Sequence, residues 1–195
     1  MDSGRIRDEI RRRYASVAAN PEGQFAYPTG RASAERLGYR KNFMERIPPE
    51  VIRHFVGVGN PFSLGEPDAG LRVVDVGCGG GFDAWIAAQY VGYGGRVIGV
   101  DMSPEMLAEA RAGMSERSLS NVRLLAGCAE ALPLQSNWAD LVLSNGVLNL
   151  TACKRSAFSE IARVLRPGGR FQGADLVRVG EMPEDLRNDP SAWST

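Results

Sequence analysis

Apolar residues near the start of the chain recur at every third or fourth position. Ile6, Ile10, Tyr14 and Val17 share one helical face, which predicts an amphipathic helix near residues 4–18. Asn20-Pro21 ends it, because a residue before proline is pushed out of helical backbone space. From Glu22 to Gly38 turn residues and aromatics follow with no clear period, so no element is predicted there. Helical pieces are expected at Arg40–Ile47 and Pro49–Val56, the second with proline in its first turn. Glycine or proline at 57, 59, 61, 65, 67 and 70 then predicts a loop.

Beyond residue 70 the pattern changes to short apolar runs separated by helical segments. This alternation implies a parallel sheet covered on both faces. The run Val73–Val76 is broken by Gly77, Gly79, Gly80 and Gly81. An apolar helical segment follows, and a second run, Val97–Val100, ends in Asp101. A strand, a glycine turn, a helix and a strand tipped with an acid form a site for a nucleoside-bearing cofactor at the C-terminal edge of the sheet. Gly77 and Gly79 lack a Cβ, so the chain can turn sharply and a ligand can approach its backbone. Helix amides after Gly81 point back toward that ligand. Asp101, about twenty residues on, can accept both ribose hydroxyls. The plain alternative is a tight turn and an unrelated surface aspartate.

Composition removes several classes. At 195 residues the chain is long enough for one domain with a substantial core. Lys plus Arg and Asp plus Glu number 23 each, so no net charge favours nucleic acid or a membrane surface. Arg11-Arg12-Arg13 sits beside Asp8 and Glu9 and reads as a solvated helix face. No apolar stretch reaches spanning length and no signal-peptide core is present, so a cytoplasmic protein is expected. Cys78, Cys128 and Cys153 lack metal-site spacing, and no metal site is expected. His54, the one histidine, lies in the apolar segment VIRHFVGV and suits packing or surface better than a catalytic triad.

The turn discriminates between cofactors. A dinucleotide site wants a third glycine, and bulky Phe82 occupies that slot. The block DVGCGGGFD instead resembles the first motif of class I S-adenosylmethionine-dependent methyltransferases. The resemblance continues through GVDMSPEMLAEAR at 99–111, LLAGCAEALPL at 124–134, ADLVLSNGVLNL at 139–150 and FSEIARVLRPGGRF at 158–171. It implies an α/β, Rossmann-like parallel sheet of order 3-2-1-4-5 with helices on both faces. Residues 1–70 would be an N-terminal helical lid and lead-in, and 71–195 the S-adenosylmethionine-binding core, in one compact unit. The cofactor set it implies is Asp75, Gly77, Cys78, Gly79, Gly81, Asp101, Met102, Cys128, Ala129, Glu130 and Asn145. Asn145 and Gly146 would border the methyl group, and Tyr14 and Tyr27 are lid candidates with core packing as their alternative.

GNPFSLGE at 60–67, AAQYVGYGGRVIGVDMSPEML and SNGVLNL further resemble the arsenite methyltransferase branch. That branch usually carries cysteine where this chain has Gly146, a ligand for soft arsenic(III). Cys128 stands where aspartate often accepts from adenine, and a thiol is a poor acceptor. PEDLRNDPSAWST resembles a segment that precedes another cysteine. The chain stops one residue short of it, and strands six and seven are expected to be missing. A truncated selenoprotein, with a UGA codon after Thr195, is one expectation; a naturally short homologue is another. The exposed edge of strand five would suit a homodimer. The function expected is methyl transfer to a small-molecule acceptor, such as a thiol or metalloid. Arsenite methylation proper, a catalytically silent S-adenosylmethionine-binding module and an NAD-dependent oxidoreductase are the alternatives.

Overall fold

A computed structural model of the chain describes residues 3–115, 119–177 and 179–180. The segment 183–195, with its expected cysteine-proximal motif, lies outside the described residues. Four helices come first: α1 (Ser3–Ala19), α2 (Gly30–Arg36), α3 (Lys41–Met44) and α4 (Pro49–Arg53). Strands and helices then alternate as β1 (Arg72–Val76), α5 (Phe82–Val91), β2 (Arg96–Asp101), α6 (Pro104–Ser115), β3 (Val122–Ala126), β4 (Ala139–Asn145), α7 (Lys154–Val164) and β5 (Leu165–Ala174). The five strands are parallel throughout and ordered 3-2-1-4-5. The expected sheet is therefore present.

Strand periodicity divides the interior into two cores, because successive side chains leave opposite faces of the sheet. Val73, Val97, Leu141 and Leu143 pack with α5, α6 and the N-terminal helices. Val74, Val76, Val100 and Val142 pack on the other face with Ala157, Ile161 and Val164 of α7. α5 is apolar apart from Asp83 and Gln89 and buried along most of its length, as a helix wedged between sheet and N-terminal helices must be. Tyr39, Phe43, Met44, Ile47 and Val51 belong to the same apolar cluster as Val73.

The N-terminal region departs from expectation in three places, one of them α4, expected over 49–56 and ending at Arg53. α2 occupies part of the stretch predicted to lack structure. Its sequence GRASAER carries no apolar stripe; Gly30 N–H donates to Phe55 O, and Arg31 donates to Met44 O. The helix expected at 40–47 contracts to Lys41–Met44. Its last apolar residue, Ile47, is buried beyond the helix end.

His54 is buried and has a packing role. Its Nδ1 lies 2.8 Å from Glu50 O and its Nε2 3.0 Å from Ala18 O, tying α4 to the end of α1. A Cβ at Gly80 would lie 2.4 Å from His54 Cβ, so the glycine turn rests directly on this side chain. The motif RPGG follows the end of α7 at Val164 and falls within β5. Its residues then disturb the β4–β5 ladder: Ala139 pairs with Leu165, and Leu141 with Arg170. β5 and β3 are the sheet's two outer strands among the described residues, and β5 is the one beside α7. Phe158 and Phe171 meet edge to face beside it and are both exposed.

Gly81 caps α5 with φ +86, and an added Cβ would lie 2.3 Å from Met114 Cε and 3.2 Å from Ala110 Cβ of α6. Gly81→Ala would strain the backbone and overfill this contact. It should destabilise the fold by about 1–3 kcal/mol, read as a lower urea midpoint with unchanged slope.

Candidate functional site

The strands' C-terminal ends and the loops leaving them enclose a cleft, roofed by α1. Gly77 enters it from the turn after β1, and Asp101 and Met102 from the tip of β2. Cys128, Ala129 and Glu130 line it from the loop after β3. Asn145 and Gly146 line it from the end of β4, and Tyr14 and Ile10 from α1. Nine of the residues singled out from the sequence thus meet in one place. Parallel sheets favour this location because neighbouring loops there diverge and leave a crevice.

The turn between β1 and α5 is fixed by β2. Gly77 and Cys78 donate their backbone N–H groups to Val100 O at 2.7 and 3.0 Å. Gly79 N–H donates to Asp101 Oδ2 at 2.8 Å, and Ser103 N–H to Asp101 Oδ1 at 2.9 Å. Gly77 has φ +73, and a Cβ there would fall 2.3 Å from Val147 Cγ2. Only glycine meets both demands. Burial raises the Asp101 carboxyl, while the amides of Ser103, Gly79 and Met102 oppose that shift by stabilising the anion. A carboxylate has about four acceptor sites, so Asp101 keeps capacity toward the cleft.

A smaller cavity adjoins the first through Gly77 and Asn145. Asp75 and Asp83 both line it, and both are buried. Asp75 Oδ2 has no hydrogen-bond partner among the described residues. Burial, then the charges of Asp83 and Asp101, hold the Asp75 carboxyl well above the usual carboxylate range. Burial pushes Asp83 up to about 6, against the hydrogen bonds it accepts from Asn145 and Tyr39. Asp83 and Tyr39 escaped the sequence reading. An acid in the first turn of a helix reads as an ordinary partner of the helix dipole, and no local signal links it to Tyr39.

The other candidates fall at the margins. Gly79 acts through Asp101, and Gly81 faces α6 rather than the cleft. Cys78 lines the smaller cavity but packs into the core; a Cβ at Gly99 would sit 2.8 Å from its Sγ. Burial pushes the Cys78 thiol well up, followed by the charges of Asp101 and Asp75, so it stays protonated. Tyr27 lies outside both linings. Its hydroxyl donates to Val56 O at 3.3 Å and its ring packs on Phe25 at 5.1 Å. Phe25 also meets Tyr14, at 6.5 Å, so Tyr27 supports the roof at one remove. Glu130 accepts from Ala152 N–H at 3.1 Å and faces Arg7 of α1 at 3.6 Å, joining the roof to the far wall. Cys153 is exposed at the start of α7, with its thiol lowered by hydrogen bonds from Ser156.

Comparison with known proteins agrees with this geometry. A family model described as a methyltransferase domain matches residues 67–195. The arsenite methyltransferase of Halobacterium salinarum is 34% identical, the match covering 98% of this chain and 52% of that protein. The demethylmenaquinone methyltransferase of Lactococcus lactis is 39% identical across 52% of this chain and 40% of that one. The chain spans about half the length of the curated relatives it matches. Among solved structures, an arsenic(III) S-adenosylmethionine methyltransferase from Chlamydomonas reinhardtii superposes with a TM-score of 0.63 at 33% identity, over 84% of this chain and 55% of that one. With its five-stranded parallel sheet and glycine turn, the chain belongs to the class I S-adenosylmethionine-dependent methyltransferases.

Proposed function

We propose that the cleft holds S-adenosylmethionine and that the chain catalyses transfer of its methyl group to a small-molecule acceptor, a soft nucleophile such as a thiol or metalloid. The observation that carries this reading is the convergence of Gly77, Asp101, Met102 and Ala129 on one crevice, with a buried, unpartnered Asp75 oxygen in the cavity beside it. The residues fit the cofactor's chemistry. Asp101 offers a carboxylate to two ribose hydroxyls. Met102 and Ala129 flank the place for a flat base; the Glu130 carboxylate stands in for the poor acceptor Cys128, and the Ala129 N–H can donate to a ring nitrogen of that base. Asp75 Oδ2 offers a partner to an ammonium group. The bound cofactor supplies a methyl that is already electrophilic, so the chain's part is to align and to exclude water. Tyr14 and Ile10 of α1 provide that cover, with residues 1–70 as lid and 71–195 as core. The backbone at Asn145 and Gly146 borders the transfer point.

The relatives' names include arsenite and demethylmenaquinone, so the shared fold does not define the acceptor. The local chemistry disfavours arsenite itself. Gly146 carries no thiol and sits at φ +71, a backbone that a cysteine side chain would strain. Of the three cysteines, Cys128 alone lines the main cleft. One thiolate is a poor cage for arsenic(III), which seeks several soft ligands.

Two outcomes test the proposal. Asp101→Ala should weaken S-adenosylhomocysteine binding at least about tenfold by calorimetry, since charge-assisted bonds contribute roughly 1.5–3 kcal/mol each. Cooperative unfolding of the variant serves as the folding control, and unchanged affinity would remove Asp101 from the ribose. Separately, the 195-residue chain should neither bind arsenite tightly nor methylate it efficiently. Robust arsenite turnover would overturn the argument from Gly146.

A further inference from the structure

The end of β4 carries a buried polar cluster that the methyl-transfer reading leaves unused. The Asn145 carboxamide is saturated within the protein. Its Oδ1 accepts from Val58 N–H at 2.9 Å and from Gly59 N–H at 3.1 Å. Its Nδ2 donates to Gly59 O at 2.8 Å and to Asp83 Oδ2 at 3.0 Å, with the Tyr39 hydroxyl at 3.1 Å. A primary amide has two donors and two acceptor lone pairs. None is left for a substrate. Asp83 Oδ1 in turn accepts from the Tyr39 hydroxyl at 2.7 Å.

The 57–59 segment is shaped around this amide. A Cβ at Gly57 would lie 2.4 Å from Asn145 Nδ2, and one at Gly59 would lie 2.5 Å from Ala174 Cβ of β5. The segment also borders the cleft, with Gly57 lining the smaller cavity. Val56, just before it, lines both cavities, and Val58 sits against Gly146, where a Cβ would be 3.4 Å from Val58 Cγ1. Val58 and Gly59 amides share one side-chain acceptor rather than joining a strand or helix. Their order depends on that side chain.

We infer that Asn145 is a positioning residue whose carboxamide, anchored on Asp83 and Tyr39, fastens the Gly57–Gly59 segment to the end of β4 and so sets the cleft wall beside the transfer point. Its functional meaning rests on the methyl-transfer reading; its structural content does not. The buried cluster stays ordered because each member completes another, and removing one leaves the rest unsatisfied. Asparagine at 83 would still accept from Asn145 Nδ2. Leucine matches asparagine in size but offers nothing.

Amide hydrogen exchange on the full chain without cofactor tests this. Asn145→Ala should speed exchange at Val58 and Gly59 at least tenfold, with Val74 of β1 and Val97 of β2 unchanged. Asp83→Leu should give the same local loss, while Asp83→Asn keeps protection at both amides. Gly57→Ala, whose methyl displaces the Asn145 amide, should reproduce the effect and serves if Asn145→Ala does not fold. Wild-type protection at Val58 and Gly59 in Asn145→Ala or Asp83→Leu would overturn the inference. So would equal loss in Asp83→Asn and Asp83→Leu, since size alone would then explain the site. Failure of the methyl-transfer reading would appear elsewhere, as wild-type protein that does not bind S-adenosylhomocysteine.

Discussion

The grip of β2 on the glycine turn is the constraint from which the rest of the site follows. One strand end supplies Val100 O to the N–H groups of Gly77 and Cys78, and the Asp101 carboxylate to Gly79. This folds the chain back over the sheet edge and starts α5 at a defined angle. It also pins Asp101 at the cleft wall, with part of its acceptor capacity committed and part left over. The backbone needs positive φ at Gly77, Gly79 and Gly81, which branched or bulky residues resist. A single element thus sets loop shape, helix direction and the placement of the Asp101 carboxylate at the cleft wall.

The N-terminal helices complete what the sheet leaves open. Tyr39, Phe55 and Phe82 pack edge to face or tilted, with centroids 4.2–5.4 Å apart, and join the N-terminal segment to the start of α5. His54 backs Gly80, and Tyr14 lines the cleft together with Gly77. The Tyr39 hydroxyl carries the same junction into the polar cluster at Asp83 and Asn145. An apolar contact and a buried hydrogen-bond network therefore act through one ring. Buried networks of this kind specify geometry strongly because partial satisfaction is so unfavourable.

The sheet was legible because its signals are local and reinforce one another. Val73–Val76 and Val97–Val100 each carry three β-branched residues of four, the first followed by a glycine turn and the second by Asp101. Asp101 was legible from its distance to the glycines. Other features depend on contacts between distant residues. α2 has no apolar stripe and exists through bonds to Phe55 and Met44. Glycine spacing marks a turn but not which glycine faces a ligand, so Gly81, which seats α6, was grouped with Gly77, which lines the cleft. Cys78 likewise carries no local sign that its sulfur is buried beside Gly99. Asp83 and Tyr39 lie 44 residues apart, and neither carries a local mark of the pairing.

This turn and this acid suit an adenosyl sulfonium cofactor rather than a dinucleotide. Phe82, at the third-glycine position, is buried and packed on Phe55 and Tyr39, so it leaves no close helix approach of the dinucleotide kind. Parallel calorimetric titrations of the unmodified chain with S-adenosylhomocysteine and with NAD decide the matter most directly. The account predicts saturable one-to-one binding of S-adenosylhomocysteine and no comparable heat with NAD. Tighter binding of NAD, or none of S-adenosylhomocysteine by folded protein, would contradict it.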